Sequence, residues 1–339
     1  MIKKRYNIID LFKFISAVLI IIIHTHPLLN INYEADFVLN NIICRIAVPF
    51  FLVCSGFFIG KMSKYDGVIF VPNKEYFKNQ FIKIFKLYLI WSLIYLIISV
   101  YGWKKNGWFS AFAFLDWIIA FFTKGSYYHL WYLISLLYAI PLVYFIMKKV
   151  KKKYYGAIMI VLYAIQVIVY AYRFIIPKSL SNMIKICDYF ECPFVAITRV
   201  MPFLLLGIII SQKKNDKSPA LKCLVSFTLL IIEVCLLRYN NQEKLSYVFF
   251  TFPTSYYLFC MVLKIGVNEH IGTHKIFRSS TFLYCVHPVF VWLLSEFFKI
   301  DNQWMFILTV ILSVVAWKIS DIVKYTLKSR KCSISRYIA

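Results

Sequence analysis

The chain has 339 residues, 61% of them hydrophobic, and a formal net charge of +24. That apolar fraction is too high for a soluble domain. The charge does not signal nucleic acid, because Lys and Arg stand in short clusters between apolar runs of about twenty residues, the pattern of cytoplasmic loops in a multi-pass membrane protein.

The N-terminus, MIKKRYN, is basic and expected in the cytoplasm. The first apolar run, residues 8–29, lacks a small-residue cleavage site and is expected to stay as the first helix. It carries Asp10 and Lys13 at one end and His24 and His26 at the other. Ionisable groups at such depth cost several kcal/mol unless paired or lining a wet cavity, about 2.5–3.5 on insertion scales. Lys13 and His24 are eleven residues apart. That is about three turns, so they share a face and lie about 16 Å apart along the axis. The face offers a cation near the cytoplasm, suited to a charged donor, and an imidazole near the outside, suited to proton chemistry. Lys13 otherwise snorkels to headgroups or pairs with Asp10. His26 faces away from His24, next to Pro27, and reads as a helix-end residue.

An acidic, Lys-free loop follows and suits the outside. The second helix, residues 37–60, holds Arg45, Pro49 and Ser55-Gly56. Arg45 lies at about the depth of His24 and should face the interior, paired with an acid or serving a site. Lys61, Lys64, Lys74, Lys78, Lys83 and Lys86 then mark an inside loop before a third helix at 87–101. Residues 102–126 contain an apolar run too short to span, expected as an interfacial or re-entrant helix.

Further helices are expected at 127–147, opened by His129, and at 154–174. An irregular outer loop with Cys187 and Cys192, where a disulfide is one option, leads to a helix at 196–211 opened by Arg199. Helices at 220–237, containing Glu233 as a candidate partner for a buried Arg, and at 247–265 follow. After the basic segment 266–280 come helices at 281–298, interrupted by His287-Pro288, and at 304–327. Pro288 frees the carbonyl of Tyr284, and His287 either satisfies it or lines a pocket. The remaining cysteines, among them Cys44, Cys54, Cys235, Cys260 and Cys285, read as small buried apolar residues, and none has zinc-site spacing with histidine.

The expected architecture is all-α: a single domain, 1–339, built as a bundle of about ten transmembrane helices with both termini cytoplasmic. Its unusual residues are His24, Arg45, His129 and Arg199 toward the outside and Lys13 toward the inside. Imidazoles that take a hydroxyl proton, beside cations that hold an anion or a developing oxyanion, suit acyl transfer.

These residues resemble the integral-membrane acyltransferase 3 family. The resemblance covers most of the chain. It is carried by a basic residue, ten spacers and a His in IDLFKFISAVLIIIIH, by PFFLVCSGFF after Arg45, by HLWYL from His129, by RVMPFLLLG from Arg199 and by VHP around His287. Lys13 stands where the family more often has Arg, giving a point charge in place of a bidentate fork. HTHPL and RIAVPFF also resemble the membrane half of vancomycin-resistance serine racemases, tied to serine uptake.

The resemblance implies an O-acyltransferase of the cell membrane that moves an acyl group, by family precedent acetyl from acetyl-CoA, to a surface polysaccharide or lipid-linked sugar. It implies catalytic His24, His129 and Arg45, donor binding at Lys13, acceptor binding at Arg199 and His287, and no metal. In this picture Lys13 holds the nucleotide end and the pantetheine arm reaches His24, which acts as a base or is transiently acylated. With no racemase or hydrolase-like domain in the chain, the acceptor is expected to meet the membrane domain or a separate partner. The alternative is a transporter of serine or of a glycan precursor.

Overall fold

The computed structural model of the chain describes residues 6–213, 218–242, 245, 247–265 and 275–337, with side chains described as far as 326. The basic N-terminal run, most of the polar stretch QKKNDK at 212–217, most of the 266–280 segment and the side chains of the basic C-terminal stretch from 327 lie outside the described residues.

Among the described residues nine helices are long and apolar enough to cross a bilayer. They are Asn7–Thr25, Tyr33–Lys61, Lys74–Lys105, Trp131–Lys149, Lys152–Tyr170, Glu191–Ser211, Pro219–Tyr239, Lys275–Phe297 and Asn302–Thr326. A further apolar helix, Thr251–Ile265, ends where the description stops and fills the place of the expected 247–265 span. Ala111–Thr123 is a 13-residue apolar helix, too short to cross, as its run suggested. The sole sheet among the described residues is the hairpin Lys64–Tyr65 with Phe70–Val71. This is an all-α integral membrane protein. Rows of exposed apolar side chains, such as Leu221, Leu224, Ile232 and Leu236 on one helix, give lipid a face to cover.

Several boundaries differ from expectation: the helices expected at 37–60, 196–211 and 281–298 start early, at Tyr33, Glu191 and Lys275, the one expected at 127–147 starts late, at Trp131, and the one expected at 154–174 stops early, at Tyr170. Two further differences have a plain physical cause. The third helix begins at Lys74, so Lys74, Lys78, Lys83 and Lys86 lie on helix and not in a loop. Its 32 residues reach about 48 Å against a hydrocarbon layer of about 30 Å, so its lysine-rich turns extend beyond the apolar layer. The first helix ends at Thr25, four residues early. His26 takes a left-handed conformation and donates its backbone N–H to the Ile22 carbonyl, because a residue before proline avoids the helical region.

The chain forms two compact units: residues 1–47 with 266–339, and residues 48–265. In the first, the Asn7–Thr25 helix packs on the Lys275–Phe297 and Asn302–Thr326 helices. Its buried stripe runs through Ile9, Ala17, Ile20 and Ile21 at helical spacing and continues into His24. In the second, the Glu191–Ser211 helix is mostly buried. It meets the helix carrying Gly56 backbone to backbone. A Cβ on Gly56 would strike the Leu204 carbonyl, and one on Gly207 the Val53 carbonyl. Two small residues facing each other permit this approach, which in lipid replaces hydrophobic drive with close packing.

Cysteine usage is also corrected. Cys44, Cys54 and Cys285 are buried, but Cys235 is exposed and Cys260 half-buried. Cys187 and Cys192 are both free thiols. Cys187 sits on the short helix Ser181–Tyr189 and Cys192 in the first turn of Glu191–Ser211, where its sulfur faces the Trp131 carbonyl at 3.8 Å. Burial and the neighbouring Asp188 push the Cys187 thiol above its ordinary range.

Candidate active site

In the first unit, His24 occupies the last turn of its helix and is half-buried. Its imidazole stacks on that of His287, with ring centroids 5.3 Å apart and planes inclined by 23°. His287 is fully buried, and its Nδ1 lies 3.1 Å from the Leu283 carbonyl. A carbonyl only accepts, so Nδ1 carries the proton and donates, and Nε2 of the neutral ring is the lone-pair nitrogen. The contact is to the carbonyl four residues back, one before the Tyr284 carbonyl that Pro288 frees. The imidazole thus satisfies the local backbone and forms a wall against which His24 rests.

Arg45 belongs to the same unit. It follows a π-helical turn, Leu39–Ile43, and sits in the 3-10 turn Cys44–Ile46, which packs against the first helix. Pro49 removes the bond that the Arg45 carbonyl would otherwise accept, and the irregular turns lie at this break. The guanidinium is within electrostatic reach of His24 and donates from Nη2 to Asn41 Oδ1 at 3.2 Å.

Lys13 is one-quarter exposed, on the stripe that also bears His24. Its Nζ is 3.9 Å from Asp10, a loose surface pair of the kind worth little. The same helix packs on the segment Lys275–Ser279, where Phe14 meets Phe277 edge-on and where Lys275 and Arg278 are exposed. His26, by contrast, is a structural corner. Its Nδ1 is 2.8 Å from Asp36 Oδ2, Asp36 Oδ1 accepts the Leu28 N–H, and Asn302 donates to the His26 carbonyl. Asp36 is the partner that sequence reading missed; its place as an acid in a short loop after His26 was the available signal.

His129 and Arg199 belong to the second unit. His129 does not open a helix: it lies in a turn, and the helix begins at Trp131. That turn is fixed by Gly125 at φ +95°, by Ser126 donating its N–H to Tyr88 Oη, and by a 2.6 Å contact between the Ser92 and Ser126 hydroxyls. The His129 ring is buried among Tyr95, Tyr127 and Tyr128, with centroids at 4.8, 5.9 and 5.5 Å.

Arg199 stands in a π-helical turn, Ala196–Val200, just before Pro202. It is 7% exposed. Its guanidinium carbon lies 3.7 Å from the centroid of Tyr247, 5.3 Å from Trp131 and 5.6 Å from Tyr170. Glu233 is not its partner. The Glu233 carboxylate accepts the backbone N–H groups of Phe249 and Phe250 and the Tyr172 hydroxyl, capping the approach to the Thr251–Ile265 helix. Among the described residues no three His, Cys, Asp or Glu side chains gather as a metal would require.

The site residues therefore fall into two groups. His24, His287, Arg45 and Lys13 share one unit, while His129 and Arg199 share the other. The helices define a multi-pass membrane protein, and the stacked imidazoles of His24 and His287 place ionisable groups within its spans.

This chain belongs to the acyltransferase domain family, whose match covers residues 6–319. It is 29% identical over 304 residues to an amino-acid racemase of Enterococcus faecalis, a match covering 84% of this chain and 40% of that protein. It is 27% identical over 297 residues to a serine/alanine racemase of Enterococcus gallinarum, covering 83% and 40%. The chain thus spans about 40% of the length of these curated relatives. No solved structure matches it. The family and the racemase relation are those that the first-helix and later motifs resembled.

Proposed function

We propose that this protein is a membrane O-acyltransferase of the cell membrane. It moves an acyl group, by the family's example acetyl, from cytoplasmic acyl-CoA to a hydroxyl of an extracytoplasmic glycan or lipid-linked sugar. The observation that carries the proposal is the His24–His287 stack on the same helix face as Lys13.

The donor supplies an activated thioester. Accessible cations suit its phosphates: Lys13, with Lys275 and Arg278 exposed on the segment packed against the same helix. His24 takes the proton of the acceptor hydroxyl, a role worth about 10²–10⁴ in rate, and returns it to the CoA thiolate as the C–S bond breaks. The hydrogen bond from His287 to Leu283 fixes the ring that positions His24. Arg45 offers N–H groups to the oxyanion that develops as the acyl carbon is attacked. His129 is a second proton carrier and Arg199 an acceptor-binding residue. Both termini and the Lys148–Lys153 cluster lie in the cytoplasm, with 177–192 outside.

The test is transfer of isotope-labelled acetyl from acetyl-CoA to envelope glycans by membranes containing the protein. Label in the glycan fraction that depends on the protein supports the reading. Unlabelled glycan, together with protein-dependent uptake of an amino acid or glycan precursor, favours the transporter instead.

A further inference from the structure

We propose that Arg199, boxed by Trp131, Tyr170 and Tyr247, is a receptor for a carboxylate, so that the acceptor is a hydroxyl-bearing acid. The inference rests on the reading that an acceptor binds beside Arg199, and it names the chemistry that the acceptor must carry.

A guanidinium so buried is normally paired with an anion. Among the described residues no carboxylate lies within ion-pair distance of Arg199, and its Nε is buried without a hydrogen-bond partner. Glu233, the acid the sequence offered as a partner, is committed to two backbone amides and a tyrosine. The aromatic rings contact the cation as π systems, which do not replace an anion. The donors of a guanidinium point outward in that plane.

A second buried donor lies on the helix that carries Tyr170. Gln166 is fully buried and shares a hydrogen bond of 2.6 Å with Thr198, the residue before Arg199. It also lies one turn from Tyr170 on the same helix face. Thr198 Oγ1 is also 2.8 Å from the Phe194 carbonyl, so its single proton has two claimants. In either orientation of its amide, Gln166 keeps an N–H that no group takes.

Two unmet donor sets, one of them a planar fork between rings, fit a planar anion with two oxygens. A carboxylate pairs with such a fork through two parallel bonds. A phosphate can take the same two bonds, but a phosphomonoester carries close to two negative charges against this one cation. A single full positive charge also matches a monoanion.

The carboxylate comes either from an acidic sugar or from an amino acid, and matched pairs separate the two. The full-length protein in lipid nanodiscs, without acyl donor, is titrated calorimetrically with glucuronate against glucose and with L-serine against L-serinamide. The expected result is that at least one acid binds tenfold or more tightly than its neutral or amide partner. Arg199→Gln should erase that preference, Arg199→Lys should keep part of it, and Gln166→Leu should weaken the acid alone by several-fold. The acid that binds identifies the source. Equal binding within both pairs, no acid binding at millimolar concentration, or a preference that survives Arg199→Gln overturns the proposal. If Arg199→Gln does not fold, Arg199→Lys and Gln166→Leu decide it by the same comparison. Wild-type protein that prefers the acid yet transfers no acyl group refutes the transferase and leaves the receptor standing.

Discussion

The imidazole of His24 lies face to face with that of His287, their centroids 5.3 Å apart, and the second ring is tethered to its own backbone at Leu283. One histidine is half-buried and the other fully buried, so the buried one sets the plane of the other. Removing the wall should therefore disturb chemistry more than binding. His287→Ala is expected to lower kcat on the order of 10²-fold, the effect of misplacing a reacting group by about 1 Å, with KM for the donor unchanged. His287→Phe keeps a ring against His24 and should recover part of the loss. Steady-state kinetics of the two variants check this, and a rise in donor KM without a fall in kcat would contradict it.

The crossing at Gly56 and Gly207 predicts a stability effect. Gly56→Ala and Gly207→Ala each drive a methyl into a backbone carbonyl of the facing helix. Each should cost about 1–3 kcal/mol, as overpacking does. The double variant should depart from additivity, because the two sites share one contact. Gly156→Ala meets open space and serves as the control. Thermal melting in detergent reads the difference, and three equal midpoints would be the contrary result.

Glu233 yields a third expectation. Its carboxylate accepts two backbone N–H groups at 2.8 and 2.9 Å and the Tyr172 hydroxyl at 2.9 Å. Hydrogen bonds to a charged group contribute about 1.5–3 kcal/mol each. Glu233→Ala should lower the melting temperature clearly, and Glu233→Gln, which keeps one oxygen acceptor, should lower it less. Hydrogen exchange at Phe249 and Phe250 should rise in the alanine variant, and unchanged protection there would show that the amides find other acceptors.

Much of this was legible in the sequence for a simple reason. The Lys13–His24 relation depends only on helical period, and Lys-rich loops mark span boundaries without reference to packing. The first-helix stop was misread because Pro27 acts through the conformation of His26, one residue earlier. The start of the Lys74–Lys105 helix was misread because a helix protruding from lipid needs no apolar residues in its first turns. The Arg199 box was not legible. Trp131, Tyr170 and Tyr247 stand on three other segments, and nothing local to Arg199 announces them. Glu233 looked like an ion-pair partner because sequence shows a buried acid but not the two amides that satisfy it.

Lys13 separates donor binding from lipid anchoring. If its ammonium holds a donor phosphate, Lys13→Gln should raise the KM for acyl-CoA about tenfold or more, the loss of one charge-assisted bond, and leave acceptor affinity unchanged. Lys13→Arg should retain most function. Donor and acceptor titrated separately on purified protein provide the readout. An unchanged donor titration in Lys13→Gln would move the donor site to Lys275 and Arg278.

The central claim is that His24 performs the proton chemistry of acyl transfer while His26, two residues on, is a structural corner bound to Asp36. Its most direct measurement is the rate of acetyl transfer from acetyl-CoA by purified wild type, His24→Ala and His26→Ala proteins, reconstituted at equal amounts with envelope acceptor. The account predicts that His24→Ala falls by about 10²–10⁴ with its melting temperature unchanged, while His26→Ala keeps most of its turnover and melts lower. A His24→Ala protein that transfers acetyl at the wild-type rate would contradict it.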